Sequence, residues 1–489
     1  MIVSASQLVT ALFGGVFALL VVVVLGESAE ADGFLAAYSV YLMLIVFGLT
    51  LRVSLVPMLG LNTRPSEFEQ NAKLRVSEIL PVAMLLGGLL IALSPLLGGL
   101  IMHGASDEAK SAAAVSIAIL GLAAIGQIWA ATVSSVLGGA QRFVVSSIAY
   151  LVSSGLMLVA SFALMLAFGV IGAAIGVVLA ALVLAAMHIA YAGRLGFWAW
   201  PNPRALLRGE SWRAVGTVSS VSISTMVLQL NLTIAIAFVS GATGLVSGYV
   251  YAYLATVMIT GVTASTIGLV TLPGLMQSLD QQGPEAVDHY LRETSAFGVF
   301  LYVPVALGFV CFGRPVLDAI FGNTLSVETI DFLWDATRIF MVMGFVWSAF
   351  VPLATITLSL RRYGVLAISA LVLIPVHLLL LVLLSPSGPI WTVVAHVISG
   401  SVLYVFLGFL LLRERAPHAV WTVAKSIAPC LLLSLVFAIP ALVLGVPSTL
   451  LGSLIAIAIC SAAYFAAGVL FWPRVGGRML ELLLARTPG

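Results

Sequence analysis

"VVVLGESAEADGFLAAYSVYLMLIVFGLTLRVSLVPMLG" occupies residues 22–60 and contains the end of one apolar run, a short acidic turn and a second apolar run. A helix of about 20 residues crosses the roughly 30 Å hydrocarbon core of a bilayer. The pattern therefore predicts two antiparallel transmembrane helices, over 4–25 and 33–59. Arg52 lies inside the second run, where an arginine is either an anchor at the membrane surface or a ligand for an anionic group.

The composition of the whole chain is that of a polytopic membrane protein. Of its 489 residues, 62% are hydrophobic and 8% are charged, and the mean hydropathy is +1.18. Soluble domains contain about 25% charged residues. The formal net charge of +2 gives no indication of nucleic-acid binding. Cys311, Cys430 and Cys460 lie in apolar segments without the spacing of metal ligands, so we expect neither a metal site nor a disulfide.

Apolar windows separated by polar, glycine or proline residues predict an all-α protein of about fourteen transmembrane helices. The predicted spans are 4–25, 33–59, 76–102, 111–137, 143–168, 170–190, 214–240, 245–275, 294–313, 333–360, 364–385, 389–412, 426–446 and 449–472.

The distribution of basic residues predicts the orientation in the cell membrane. With both termini in the cytoplasm, the predicted outer loops contain only Lys110 and Arg314 of the 21 basic residues, while Arg52 and Arg338 lie within helices. This is the asymmetry of the positive-inside rule. The loops are too short for a soluble catalytic domain, and no lysine lies in a glycine-rich phosphate-binding loop. We expect no enzyme activity, no cofactor and no ATP hydrolysis by this chain.

Landmarks repeat between the two halves of the chain. "LVPMLG" (55–60) corresponds to "LVTLPG" (269–274), "GGAQRF" (138–143) to "SLRRYG" (359–364), and Pro81 to Pro304. An even number of helices per repeat gives two bundles of the same orientation, with a cleft suited to alternating access. The predicted organisation is a six-helix bundle in 1–190, a basic cytoplasmic linker in 191–213, a second six-helix bundle in 214–412, and two further helices with a short tail in 413–489.

The stretch 22–60 resembles the first hairpin of the multidrug/oligosaccharidyl-lipid/polysaccharide exporter superfamily, most closely the MviN-type lipid II flippases and the O-antigen or polysaccharide flippases. The resemblance rests on a turn with Gly26, the acidic Asp32 before the aromatic Phe34, and a long helix that ends in Val-Pro. It implies a flippase for a polyprenyl-pyrophosphate-linked saccharide, with Asp32 at the family's acidic position. Lipid II flippases carry arginines in helix 1, whereas helix 1 here is uncharged.

Polar residues at helical spacing mark candidate substrate contacts on three helices. Each set faces one side of its helix, and such a side is either the lining of a wet cavity or a hydrogen-bonded contact between helices. The candidates are Gln7 and Thr10 in helix 1, Ser222, Thr225, Gln229 and Thr233 in helix 7, and Tyr253, Thr256 and Thr260 in helix 8.

Three further titratable residues lie within apolar helices. Arg338 follows Asp335 by three residues, a spacing that predicts a local ion pair. His377 and His396 lie at similar predicted depths and form either a proton relay or structural hydrogen bonds. The expected partners are the lipid-linked saccharide, membrane lipids, H⁺ or Na⁺ as a coupling ion, and envelope-synthesis proteins.

Four functions remain open on the sequence. The first is a flippase that serves cell-envelope polysaccharide or peptidoglycan synthesis. A drug/cation antiporter of the same fold needs a carboxylate inside the membrane, and helices 1, 7 and 8 contain none. A glycosyltransferase would have to use Glu27, Glu30 and Asp32 of the first turn. A transport-inactive scaffold for envelope synthesis is the fourth.

Overall fold

The computed structural model describes residues 2–55, 59, 65–204, 209–261, 263, 284–360, 362–415, 419–472 and 475. All long elements among these residues are α-helices. They are α1 (Ile2–Leu25), α2 (Ala29–Leu55), α3 (Pro65–Ile101), α4 (Asp107–Gly139), α5 (Phe143–Arg194), α6 (Gly209–Val239), α7 (Leu245–Thr260), α8 (Pro284–Phe312), α9 (Arg314–Phe321), α10 (Val327–Ser359), α11 (Tyr363–Leu384), α12 (Pro389–Arg415), α13 (Ala419–Leu433), α14 (Leu435–Leu444) and α15 (Leu450–Phe471).

The predicted fold class, an all-α polytopic membrane protein, is confirmed. Within the described residues, nine helices are long and apolar enough to span a membrane, and shorter apolar stretches cover 12–25, 225–239, 245–260 and 389–404. One of the nine, α5, contains two of the predicted spans. Two helices begin ten or more residues earlier than predicted, α3 at Pro65 and α8 at Pro284. The predicted end of the eighth span, 264–275, lies outside the described residues.

α5 is a helical hairpin that reverses at Gly169. The backbone there has φ 56° and ψ −136°, a conformation open to glycine and strained for other residues. Three side chains join the two arms, and the partner's number rises as the donor's falls, so the arms are antiparallel. The bonds are Ser161 to the Ala173 carbonyl (3.2 Å), Ser153 to the Ala180 carbonyl (2.9 Å) and Ser146 to the His188 ring (3.0 Å).

The chain forms two compact units. Unit 1 comprises Met1–Tyr251 and Ala370–Thr392, and unit 2 comprises Ala252–Ser369 and Val393–Gly489. α7 is therefore divided between the units after Tyr251. The six-helix repeat and its predicted boundaries remain a prediction from the sequence.

Small residues bring the helices of unit 1 into close contact. A Cβ on Gly33 of α2 would lie 2.5 Å from the Ala109 carbonyl of α4, and one on Gly87 of α3 would lie 2.8 Å from the Gly121 carbonyl of α4. Membrane helices associate mainly by van der Waals packing, which such small residues permit. The glycines therefore explain why α2 and α3 both pack against α4.

Several turns of unit 1 lie together at one end. A Cβ on Gly104, after α3, would be 3.3 Å from Gly241, after α6. A Cβ on Gly169, in the α5 reversal, would be 3.8 Å from the Glu30 carboxylate, at the start of α2. These contacts place the alternate turns on one side, as consecutive membrane crossings require.

The opposite end of unit 1 holds the segment after α5. Pro81 has no N–H, so the Ser77 carbonyl one turn earlier in α3 lacks its helical donor. The Asn202 N–H donates to that carbonyl at 3.1 Å. Trp198 contacts Trp129 of α4, with ring centroids 6.5 Å apart. A proline inside a helix thus provides the attachment point for the segment 195–204.

In unit 2, α8 packs against α10, α13 and α15 around a buried core that includes Phe300, Leu353, Phe437 and Tyr464. The Tyr302 hydroxyl donates to the Met341 carbonyl of α10 at 2.9 Å. The short α9 is held by ion pairs. Arg314 at its start pairs with Asp318 (2.9 Å) and with Asp331 of α10.

Candidate functional site

Asp32 ties the start of α2 to the start of α7. Its carboxylate is 2% exposed and accepts hydrogen bonds from the Gly244 N–H (2.7 Å), the Ser247 N–H (2.9 Å) and the Ser247 hydroxyl (2.5 Å). We call Asp32, Gly244 and Ser247 the Asp32 clamp. Gly244 has φ +87°, which favours glycine at this position.

The clamp has a clear electrostatic basis. The first N–H groups of a helix lack partners within the helix and form the positive end of its dipole. A carboxylate at the start of α7 satisfies two of these N–H groups and neutralises that partial charge. Hydrogen bonds to a charged group contribute about 1.5–3 kcal/mol each, and a buried donor left unpaired costs a similar amount. The clamp is therefore a strong contact that is lost if the ends of the two helices separate. It lies at the end of unit 1 that holds the turns with Gly104, Gly169 and Gly241.

The candidate residues of α6 lie partly in a contact with α2. The Thr233 hydroxyl is 3.0 Å from the Ser39 hydroxyl of α2, and it also donates to the Gln229 carbonyl at 3.2 Å. Ser222 and Gln229 are buried, whereas Thr225 is exposed. Thr233 therefore joins α6 to α2, whereas the side chain of Thr225 is accessible.

The candidates of α7 contribute to packing within unit 2. Tyr253 and Thr256 are fully buried, and Thr260 is 3% exposed. The Thr256 hydroxyl donates to the Ala252 carbonyl and the Thr260 hydroxyl to the Thr256 carbonyl, so both hydroxyls serve their own helix. In this structure these side chains face neighbouring helices and do not line an open surface.

Three candidates concern the N-terminal helices. Gln7 lies in α1 and Arg52 in α2, but their side chains are outside the described part of the structure. The Thr10 hydroxyl in α1 is buried and has no hydrogen-bond partner among the described residues. Whether Arg52 anchors α2 or binds an anion therefore stays a prediction.

The predicted ion pair of Arg338 with Asp335 is present, with 3.6 Å between nitrogen and oxygen. The Arg338 guanidinium also lies 5.6 Å from the centroid of the Trp334 ring. Both members of the pair are about half exposed, and an ion pair of this kind contributes little to stability.

The two histidines have separate surroundings. The His377 ring, in unit 1, lies 3.0 Å from the Asn231 carbonyl of α6. The His396 ring, in unit 2, packs against the Tyr253 and Phe340 rings, with its centroid 5.4 Å from each of theirs. The contact of His377 with α6 does not decide between the two predicted roles, so the proton relay and the structural hydrogen bond both stay predictions.

Sequence reasoning missed Asn231 and the partners of Asp32. Both polar side-chain atoms of Asn231 are buried without a partner among the described residues, although an asparagine in the middle of an apolar helix was a visible signal. Gly244 and Ser247 follow Asp32 by 212 and 215 residues, so no local pattern connects them. The described residues contain no group of three or more His, Cys, Asp or Glu side chains that could hold a metal ion.

Comparison with known proteins gives a family. The sequence model of the lipid II flippase MurJ matches residues 21–460. The chain belongs to the MurJ lipid II flippase family. The predicted relationship to the multidrug/oligosaccharidyl-lipid/polysaccharide exporter superfamily is thus confirmed, and the chain is a member of a transporter family whose substrates are lipid-linked saccharides. No curated protein sequence matches the chain.

Solved structures share the MurJ fold at low sequence identity. A lipid II flippase MurJ in an inward closed conformation aligns with a TM-score of 0.76 and 16% identity, over 96% of this chain and 98% of the other. An inward-facing multidrug resistance MATE family transporter aligns with a TM-score of 0.63 and 17% identity, over 84% and 95%. A superfamily transporter from Pyrococcus furiosus aligns with a TM-score of 0.61 and 16% identity, over 86% and 95%.

Proposed function

We propose that the protein moves a polyprenyl-pyrophosphate-linked saccharide, with lipid II as the first substrate to test, from the inner to the outer leaflet by alternating access. Membership of the MurJ family is the observation that carries this proposal. In the proposed orientation both termini are cytoplasmic, and the Asp32 clamp lies at the outer face. The product would supply cell-wall synthesis.

The Asp32 clamp supports a mechanism in which the outer end opens and closes. A transporter of this kind needs a contact that holds one end shut and that can be released without unfolding any helix. The clamp joins helix ends through one carboxylate, so α2 and α7 can separate while both remain helical. Water from the outer surface can hydrate the separated groups.

The saccharide head needs hydrogen-bonding partners while it crosses the hydrocarbon. We assign Thr225 of α6 to this role because it is the exposed residue on this side of the helix. Ser222 and Gln229 lie on the same side and are buried in this structure, so they would reach the saccharide only when the helices separate. Arg52 near the inner end of α2 would contact the pyrophosphate. Tyr253, Thr256 and Thr260 would stabilise α7 through their packing within unit 2.

The decisive experiment uses proteoliposomes that contain the purified protein and a fluorescent lipid II analogue. Protein-dependent access of the fluorophore to an impermeant quencher is the expected result. Matched vesicles with a phospholipid carrying the same fluorophore control for nonspecific scrambling. Equal movement of both lipids, or of neither, would contradict the proposal.

Ion coupling is a separate part of the proposal. His377 is buried in α11 and contacts α6, so a proton on its ring would add a charge between two helices of unit 1. We infer proton coupling through His377. Transport by a His377→Gln variant should lose its dependence on an imposed pH gradient, whereas a sodium gradient should have no effect on the wild type.

A drug/cation antiporter remains the alternative within the fold, because MATE family transporters share it. Such a transporter needs a carboxylate inside the membrane, and α1 and α7 contain none. Proton-driven efflux of ethidium, without lipid II movement, would favour this alternative.

A further inference from the structure

A small cavity lies between the two arms of α5, in unit 1. Its volume is about 260 Å³, and it is lined by Val145 and Ala149 of the first arm and by Met187, His188, Ala190, Tyr191 and Arg194 of the second. Phe143, Val144, Ile148 and Leu182, on the two arms, are more than 40% exposed. Exposed apolar residues at this density on a membrane helix face lipid, so the cavity opens towards the bilayer.

The wall of the cavity is largely apolar, because both nitrogens of the His188 ring are engaged in hydrogen bonds within the protein. The His188 Nδ1 lies 2.9 Å from the Leu184 carbonyl, which can only accept, so Nδ1 carries the proton. Nε2 then accepts from the Ser146 hydroxyl at 3.0 Å, and Ser146 accepts from the Ser134 hydroxyl at 2.5 Å. Both ring nitrogens are thereby engaged, and the ring presents carbon atoms to the cavity. An apolar chain is the chemistry that suits this interior.

The rim of the cavity carries positive charge that has no described counter-ion. Arg194 is at the rim, and Arg142 precedes the first arm at the same end of α5. Both are exposed, and neither forms an ion pair with a described residue. α5 itself contains no acidic residue, and Glu69, beside Gly196, is paired with Lys73 at 2.6 Å. Basic pockets between membrane helices attract anionic lipid headgroups.

We propose that this cavity is a binding site for an acidic glycerophospholipid, with one acyl chain between the arms of α5 and the phosphate at Arg194 and Arg142. Tyr191 of the lining lies one helical turn from Arg194, and tyrosine is enriched where membrane helices meet lipid headgroups. The site is separate from the residues assigned to the saccharide, and it holds a lipid of the surrounding membrane. Its proposed role is to fix the lipid-facing hairpin of unit 1 to the anionic leaflet.

Native mass spectrometry of the purified full-length protein tests the site. The probes are dioleoyl phosphatidylglycerol and dioleoyl phosphatidylcholine, which share their acyl chains and differ in charge. We expect preferential retention of phosphatidylglycerol, by about five-fold for each arginine that contacts it. The double variant Arg142→Gln/Arg194→Gln should lose the preference, while Arg292→Gln, which removes an exposed arginine of α8 in unit 2, should keep it.

A second pair of variants tests the cavity rather than the charge. Ala190 is an exposed residue of the lining, so Ala190→Phe fills the cavity without disturbing a buried contact. It should reduce phosphatidylglycerol retention with both arginines in place. Ala186→Phe, one turn away on an exposed position outside the lining, is the matched control.

Three results would overturn the proposal. The first is equal retention of the two phospholipids by the wild type. The second is an unchanged preference in the double arginine variant or in Ala190→Phe. The third is displacement of phosphatidylglycerol by an equimolar amount of a polyprenyl phosphate, which would make the cavity part of the path of the transported substrate. Because binding is measured and not transport, failure of the flippase proposal would leave this result intact.

Discussion

Asp32 is the residue whose replacement has the most specific expected effect. Asp32→Asn keeps the shape of the side chain but loses its charge and can no longer accept from all the donors at the start of α7. We expect lipid II transport in proteoliposomes to fall at least ten-fold, with Asp32→Ala lower still. The physical reason is the loss of charge-assisted hydrogen bonds of about 1.5–3 kcal/mol each.

Asp107→Asn is the control for Asp32→Asn, because Asp107 is a fully exposed carboxylate at the start of α4. It should transport at the wild-type rate. If both variants lose activity equally, or if Asp32→Asn is fully active, the clamp has no part in the cycle. A folded elution profile in size-exclusion chromatography is required of each variant.

Gly344 fixes the approach of α10 to α8. A Cβ there would lie 2.1 Å from the Tyr302 hydroxyl, and Tyr302 is buried, so it cannot move aside. Gly344→Ala should lower the melting temperature in detergent, consistent with about 1–3 kcal/mol of overpacking. Tyr302→Phe removes the clashing oxygen and should restore part of the loss in the double variant. Gly364→Ala, which meets nothing within 4 Å, should leave the melting temperature unchanged or raise it.

At the scale of elements, the reversal of α5 depends on one backbone conformation. Gly169→Ala forces a non-glycine residue to φ +56°, which costs about 1–3 kcal/mol. We expect a lower melting temperature and a lower yield of folded protein. Gly193→Ala lies in a regular helical turn of the same element with open space around it, and it should not destabilise. Equal behaviour of the two variants would mean that the reversal is not strained.

The attachment of segment 195–204 to α3 gives a second element-scale prediction. Pro81→Ala supplies an N–H that competes with Asn202 for the Ser77 carbonyl. A lost hydrogen bond of about 1 kcal/mol should raise tryptic cleavage at Arg204 about five-fold. Pro95→Ala is the control, because the Ile91 carbonyl freed by Pro95 is already taken by the Ser94 hydroxyl of α3 at 2.9 Å. Unchanged cleavage in Pro81→Ala would contradict the competition.

At the scale of the whole molecule, the proposed orientation can be measured by cysteine labelling. In a background without Cys311, Cys430 and Cys460, Asp107→Cys should react with an impermeant maleimide on intact spheroplasts. Arg204→Cys should react only in inside-out vesicles. The reverse pattern would contradict the positive-inside argument and would place the Asp32 clamp at the cytoplasmic face.

The sequence predicted the spans better than their contacts, for a physical reason. Hydrocarbon thickness sets the length of each apolar run, so local composition located the helices, and even the break at Gly169 fell between two predicted spans. Whether the polar side of a helix faces a cavity or another helix depends on how the helices pack, and the local sequence does not specify that packing. The α7 threonines show periodicity, but periodicity does not tell a water-filled space from a neighbouring helix such as α10, whose Gly344 meets Thr256.

The Asp32 clamp has a kinetic consequence. Its three donors bind one carboxylate, so a displacement of the single Asp32 side chain away from α7 breaks all three bonds together. Separation of α2 from α7 is then cooperative and has one free-energy barrier. Its height depends on how readily water hydrogen-bonds to the carboxylate and to the freed donors. We therefore expect dwell times in the shut form to be single-exponential and to lengthen when water activity is lowered by an osmolyte.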